Sequence, residues 1–331
     1  MTKKYNVYGI GNALVDIDVE VKEEFLNEHG IAKGLMTLVD EETQFQLLGA
    51  INNKSVGKKS GGSAANTVMA VSQFGGKAFY SCKVANDEFG DFYLNDLSNA
   101  GIATNLDNAD REDGITGKCL VMVTDDADRT MNTYLGITTS LSVAEVNEEA
   151  IKASEYVYLE GYLVASPTAF EAMKLTKKIA EENGVKTSIT LSDPSIVEGF
   201  KAPFREVIGD SVDLLFCNEE EAMVFTESSD VMDAREKLKE VAKRFVITQG
   251  KNGAMIFDGD TFVDIEPYQV NAVDTNGAGD MFAGTFLFGI TNGHSYAGSA
   301  KLASLASSKV VSQFGPRLSN TAIQDILKDM R

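Results

Sequence analysis

The sequence predicts an α/β protein: a doubly wound, mostly parallel sheet flanked by helices, with a second, small β-sheet. Three observations carry that prediction. Between residues 142 and 265, short apolar strands alternate with amphipathic helices, the pattern of a parallel sheet covered on both faces. Segments around 12–21, 35–40 and 115–136 read as strands outside this alternation and form a sheet of their own. The helix that begins near 278 is apolar on nearly every face, as a helix buried against such a sheet must be.

Length and charge narrow the function classes. The 331 residues suffice for one large core, and residues 1–331 are read as a single domain that carries the small sheet. Lys and Arg number 30 against 49 Asp and Glu, a net charge of −19, which argues against a nucleic-acid or anionic-membrane surface. An anionic ligand must then be met by local cations or backbone donors. The sequence has no lipid-length apolar run, and Met1-Thr2-Lys3-Lys4 leads into a strand, so a cytoplasmic location is expected. Cys82, Cys119 and Cys217 are widely spaced and indicate neither a disulfide framework nor a zinc site. With only His29 and His294, histidine-based metal sites and serine triads are disfavoured.

The elements follow in order. Residues 5–11 read as a buried strand. Residues 14–21 alternate, with Val15, Ile17, Val19 and Val21 on one face and Asp16, Asp18 and Glu20 on the other. That pattern suits a sheet covering a polar ligand and equally an ordinary half-exposed sheet. Gly9 and Gly11 make no dinucleotide fingerprint, because Leu14 stands where a third glycine is needed. Helices at 22–29 and 41–51 flank a strand at 36–39. Ser60-Gly61-Gly62-Ser63 then opens a helix of small side chains that Gly75 closes. Small side chains permit close ligand approach or tight helix packing, and Asn66 in the first turn is both donor and acceptor.

Strands at 116–124 and 129–135 surround the turn Asp125-Asp126-Ala127-Asp128, beside which Arg129 reads by default as a surface ion pair. The alternating region gives strands at 155–160, 186–191, 212–217, 244–248, 253–257 and 261–265. Its helices fall at 167–183, 202–209, 219–226 and 231–242. Helices at 296–313 and 319–330 close the chain, separated by the break Phe314-Gly315-Pro316-Arg317.

Ligands of such a sheet bind at the carboxyl ends of its strands. Asn218-Glu219-Glu220-Glu221 and Thr248-Gln249-Gly250-Lys251-Asn252-Gly253 both fall there; in isolation they are a solvated helix start and a hairpin turn. The third such feature is Val273 to Asp280, read as a strand end, a turn and a helix start. Gly277 and Gly279 let a ligand approach the main chain. The N–H groups from about 278 to 280 then make an anion site at the positive end of the helix dipole. Asp280 is either a proton acceptor beside that site or a carboxylate stabilising the helix terminus.

Asp274-Thr275-Asn276-Gly277-Ala278-Gly279-Asp280 resembles the C-terminal signature of the PfkB family, the ribokinase-like carbohydrate and nucleoside kinases, in the spelling of its adenosine kinases. Gly61-Gly62 with Asn66 matches the family's first signature, and Gly11 to Asp16 its N-terminal substrate motif. Asn218-x-x-Glu221 and Thr248-x-Gly250-x-x-Gly253 are similar to its nucleotide motifs. The segment from Lys83 to Asp91 is similar to a G-x-D-x-x-G turn, with Ala85 in place of the usual Gly, and is taken as structural. The resemblance spans the chain and implies a ribokinase-like fold whose small sheet is a lid.

It also implies roles. Asn12, Asp16, Gly62 and Asn66 hold the acceptor substrate, with Asp16 receiving a cis-diol. Asp280 is the base, and the backbone of Gly277, Ala278 and Gly279 stabilises charge with help from Arg129, which reaches the transferred phosphate. Asn218, Glu221, Thr248, Gly250, Gly253 and Gly315 serve the nucleotide, and Glu221 organises Mg²⁺ through water. Carbonyls of Asp274 and Asn276 and of the region around Gly315 bind K⁺. ATP and Mg²⁺ are thus the expected cofactors, with K⁺ as a further one, and no Walker loop exists to hold the phosphates. The expected partners are ATP and a small nucleoside or sugar, with no nucleic acid and no membrane; family members are monomers or lid-exchanging homodimers.

For the substrate the order is adenosine, then a free sugar such as ribose or fructose, then inosine or guanosine. Leu14, Leu38, Cys119, Leu135 and Tyr162 are expected to line a purine slot. Leu163 and Ser195 are expected where animal adenosine kinases place stacking aromatics. The rivals are a non-catalytic sensor, which has no need of Asp280, and a dehydrogenase, which lacks its fingerprint.

Overall fold

The computed structural model describes residues 3–51, 55–107, 109–125 and 129–329. The strands are β1 (Tyr5–Ile10), β2 (Leu14–Glu20), β3 (Met36–Leu38), β4 (Ser55–Gly61), β5 (Ala78–Ser81), β6 (Ala103–Thr104) and β7 (Thr116–Val123). They continue with β8 (Arg129–Gly136), β9 (Ser154–Leu159), β10 (Lys186–Thr190), β11 (Leu214–Asn218), β12 (Phe245–Thr248), β13 (Ala254–Phe257) and β14 (Phe262–Ile265).

The large sheet runs in the order β14-β13-β12-β11-β10-β9-β1-β5-β6. From β12 to β6 every pairing is parallel. β13 and β14 are antiparallel, because the links after β12 and β13 are turns too short for a crossover. The parallel expectation therefore fails at this edge alone. β1 is covered on both faces, with Val7, Tyr8 and Ile10 fully buried. After β1 the chain builds outward to β5 and β6, then returns to build β9 to β12 on the other side. The carboxyl ends of β1 and β9 thus face the switch point of the sheet, where ligands of such folds bind.

The small sheet has the order β3-β8-β7-β2-β4. Along β2, Val15, Ile17 and Val19 are buried as the alternation requires. β4 was not expected: Ser-Val-Gly-Lys-Lys-Ser-Gly carries no apolar alternation, and pairing with β2 from Leu14↔Gly61 onward makes it a strand. The turn residues 126–128 and Met330 lie outside the described residues.

Helices Ser63–Gln73 and Ala278–Thr291 pack face to face. At Gly284 a Cβ would lie 2.2 Å from the carbonyl oxygen of Thr67 and 2.6 Å from the Ala70 Cβ. The small side chains therefore serve close helix packing, and that closeness brings the two glycine signatures together. Residues Met281 to Gly289 are all buried. No strand precedes the turn at Gly277, contrary to expectation. The N–H groups of Val273 and Asp274 instead donate to the Val311 carbonyl at the end of helix Tyr296–Val311, at 2.7 and 3.2 Å. Among the described residues, no helix is long and apolar enough to cross a membrane.

Candidate active site

A cavity of about 550 Å³ lies between the carboxyl ends of the large sheet and the inner face of the small one. Asp280 lines it from the first turn of helix Ala278–Thr291. Its Oδ1 accepts a hydrogen bond from the Ser63 hydroxyl at 2.6 Å, and its Oδ2 one from the Asn66 amide at 3.2 Å. Burial raises its pKa to about 6, while those two bonds pull it down. An oriented carboxylate, ionised at neutral pH yet more basic than usual, is suited to take a proton.

Asp16 faces the same cavity from β2 and is 9% exposed. Burial pushes its pKa up to about 7 against the attraction of Arg317. Gly62 and Asn66 line the cavity beside it. At Gly62 φ is +103°, and a Cβ would fall 2.1 Å from the Asn12 carbonyl oxygen, so only glycine fits. Asn12 also lines the cavity, but its amide donates to Glu160 at 2.8 Å. Glu160, at the end of β9, accepts further bonds from the N–H groups of Ala64 at 2.8 Å and Asn12 at 3.2 Å. It is 1% exposed, and burial raises its pKa to about 7. Sequence reasoning missed Glu160 and Ser63. A lone acid closing the apolar run Tyr156 to Leu159, at a strand end facing the switch point, was the available signal.

The turn Gly277-Ala278-Gly279 forms the floor. Gly277 is left-handed, φ +73°, and a Cβ there would meet Pro316 at 2.3 Å. At Gly279 a Cβ would meet nothing within 4 Å, which leaves the approach to the backbone open. Ala278 differs from expectation: its N–H makes a 3.3 Å bond to the Thr275 carbonyl. Arg129 is no surface pair. Its guanidinium, 11% exposed, lies 2.9 Å from the Asp274 carboxylate and 5.6 Å from the Phe314 ring centre. It does not line the cavity. Asp274 also accepts the N–H groups of Asn276 at 3.0 Å and Gly315 at 2.8 Å. Gly315 thus supports the turn from behind and lines neither cavity.

Asn218 and Glu221 line the main cavity as a closed pair, each side chain bonding the other's backbone N–H at 2.8 and 3.0 Å. Burial raises Glu221 to about 7. Among the described residues no group of three or more His, Cys, Asp or Glu is placed to hold a metal. The buried Glu221 carboxylate fits Mg²⁺, which keeps much of its water and is held largely by substrate phosphates. Thr248 lines both the main cavity and a second one of about 340 Å³, where Gly250, Gly253, Ala278 and Gly279 also lie. Gly279 is shared by both, so the two spaces meet at the turn.

Leu14, Leu38, Cys119, Leu135 and Tyr162 all line the main cavity. Leu163 does not: it is 1% exposed in the core beneath. Ser195 is exposed, and its N–H donates at 2.8 Å to the carboxylate of Asp193, which caps the helix there. Ile196 and Met131 occupy the wall instead.

Known proteins resemble this chain along nearly its whole length. The chain is 26% identical to the adenosine kinase of Saccharomyces cerevisiae over 332 residues, covering 93% of this chain and 95% of that protein. It superposes on a probable sugar kinase from Rhizobium etli CFN 42 with a TM-score of 0.90 and 32% identity, over 100% of both chains. For the adenosine kinase from Sinorhizobium meliloti the TM-score is 0.89 and the identity 35%, over 98% and 99% of the two chains. The profile of the pfkB family carbohydrate kinases matches residues 31–323; the chain belongs to that family and is an ATP-dependent kinase with an alcohol group as acceptor.

Proposed function

We propose that this kinase phosphorylates the 5′-hydroxyl of adenosine. One observation carries the reading: Leu14, Leu38, Leu135 and Tyr162 give the cavity an apolar wall next to Asp16. A ribose held at Asp16, Gly62 and Asn66 leaves that wall for a purine, whose burial there is favourable. The adenosine kinases among its relatives support the same choice. A second reading, a sugar kinase acting on ribose, fructose or a related sugar, is favoured by the likeness to the Rhizobium etli protein.

In the proposed mechanism, Asp16 accepts the two hydroxyls of the cis-diol and Asn66 orients the ring. The 5′-oxygen attacks the terminal phosphorus of ATP in line. The new O–P bond forms as the bond to the leaving diphosphate breaks, and the hydroxyl proton passes to Asp280. The N–H groups of Gly277 and Gly279 receive the developing charge at the helix terminus. Mg²⁺, when bound near Glu221, supplies charge neutralisation to the phosphates. The small sheet acts as a lid that excludes water, the competing acceptor.

The test is a side-by-side measurement of kcat/KM for adenosine, inosine, guanosine, ribose and fructose with ATP and Mg²⁺. Adenosine is expected to lead. A sugar preferred by about tenfold or more, a difference of about 1.4 kcal/mol, would replace the nucleoside reading and leave the chemistry standing.

A further inference from the structure

Arg317 lines neither cavity, yet both halves of the site converge on it. Its side chain is 13% exposed, and Nη1 lies 2.6 Å from Asp96 Oδ2 in helix Glu88–Asn99. Nη2 donates to the carbonyl and the hydroxyl oxygen of Ser60. The Ser60 N–H and hydroxyl donate in turn to the same Asp96 oxygen, at 3.0 and 2.5 Å. From the same helix, the Tyr93 hydroxyl donates to the Gly61 carbonyl at 2.9 Å.

This network fixes the backbone just before Gly62. There Gly61 lies so close to Asp16 that a Cβ would sit 2.3 Å from Oδ1. On the other side, Pro316, next to Arg317 in the chain, packs against Gly277 of the phosphate turn. The dipeptide Pro316-Arg317 therefore touches both the acceptor side of the site and the phosphate side. Stability is a weak reason for such a group, since buried ion pairs are often replaceable by apolar residues at no cost.

Charge gives a second reason. After burial, the attraction of Arg317 is the largest influence on the Asp16 carboxyl. Asp18 on β2 and Asp280 push that carboxyl up, and Lys59 on β4 pulls it down. The neutral Cys119 thiol faces it from β7.

We propose that Arg317 is a positioning residue for the acceptor, holding the Gly61–Gly62 turn and its own positive charge against Asp16. The proposal rests on the reading of Asp16 as the holder of the acceptor's hydroxyls. Loss of Arg317 loosens the turn and makes Asp16 harder to ionise, so acceptor binding suffers most at acid pH.

The experiment measures kcat and KM for ATP and for the best acceptor of the panel between pH 5 and 9. It uses the full chain and the variants Arg317→Gln, Arg317→Lys, Asp96→Asn and Asp16→Asn. In Arg317→Gln the acceptor KM is expected to rise roughly tenfold, with the ATP KM within about twofold. The acid limb of kcat/KM is expected to move up by about one pH unit, as when an opposite charge beside a carboxylate is removed. Arg317→Lys and Asp96→Asn keep the charge but lose the bidentate clamp, so KM rises and the limb stays. An Asp16→Asn enzyme with normal KM and limb would refute the role of Asp16 itself. With Asp16→Asn impaired, an unshifted limb and KM in Arg317→Gln overturn the proposal, as does an equal loss for ATP and acceptor. If Arg317→Gln does not fold, unchanged acceptor KM in both Arg317→Lys and Asp96→Asn overturns it.

Discussion

The Ser63 hydroxyl lies 2.6 Å from Asp280 Oδ1, joining residues 217 positions apart in the chain. Three residues after Ser63, Asn66 holds the other carboxylate oxygen. The helix that begins at Ser63 is thus the one that orients the Asp280 carboxylate. Its crossing with helix Ala278–Thr291 at Gly284 sets their separation, and a side chain at Gly284 would push the Asp280 carboxylate away from its two donors.

Asp280→Asn keeps the shape and removes the proton acceptor. Turnover is expected to fall by roughly 10²–10⁴-fold, the usual worth of a positioned base. ATP binding, measured by titration calorimetry, is expected to survive. Near-normal turnover would show that Asp280 is not the base.

Ser63→Ala removes a hydrogen bond that holds the Asp280 pKa below the level that burial alone would set. A hydrogen bond to a charged group contributes about 1.5–3 kcal/mol, so the acid limb of kcat should move up by about one to two pH units. A pH–rate profile decides it. An unmoved limb would mean that Asp280 does not control it.

Four carboxyls in the main cavity, Asp16, Glu160, Glu221 and Asp280, are raised by burial to between about 6 and about 7. The folded, ligand-free protein therefore binds more protons than the unfolded chain between the ordinary carboxylate range and about pH 7. Their stabilising contribution is complete at the acid end of that window and is lost as pH rises through it. Asp96 and Asp213, which are lowered, act only as pH falls into and below the ordinary range. The denaturation midpoint of the ligand-free protein is thus expected to decline from about pH 5 to about pH 8. Glu160→Gln should flatten that slope, and a midpoint that rises over the window would contradict the assignment.

K⁺ is expected to raise turnover by ordering the turn from Asp274 to Gly277 through backbone carbonyls. The motive is that this turn has no flanking strand to stiffen it and is held by Asp274 side-chain bonds and by Val311. Rates in K⁺ and in a bulky organic cation at matched ionic strength make the comparison. Equal rates would remove K⁺ from the mechanism.

Much of the architecture was legible because it depends on local pattern. The alternation in β2 and the apolar strands from β9 to β12 encode burial directly, and the small-residue helix announces a close packing. What escaped depends on partners far away in sequence. β4 is a strand only because β2 lies beside it, and Val273 lacks one because a helix end captures its N–H. Arg129 read by default as a surface ion pair because nothing local reveals that its partner is the buried Asp274. The motif positions Asp16, Gly62, Asn66 and Asp280 did come together as expected. Gly315 and the Ala278 N–H took supporting places instead, since a turn must satisfy its own backbone before it can serve a ligand.

The small sheet is assembled from two separate excursions of the chain, one from β2 to β4 and one through β7 and β8. It therefore joins the rest of the molecule at four crossings, and the seams between the excursions are the parallel pairings of β2 with β7 and of β3 with β8. Four pins along one border leave a rigid board little freedom except rotation about that border. The cavity wall is divided in the same way: Leu14 and Leu38 come from the first excursion, Cys119 and Leu135 from the second. A transplant of substrate preference between relatives must carry both excursions at once, because either alone would bring half a wall and a torn seam.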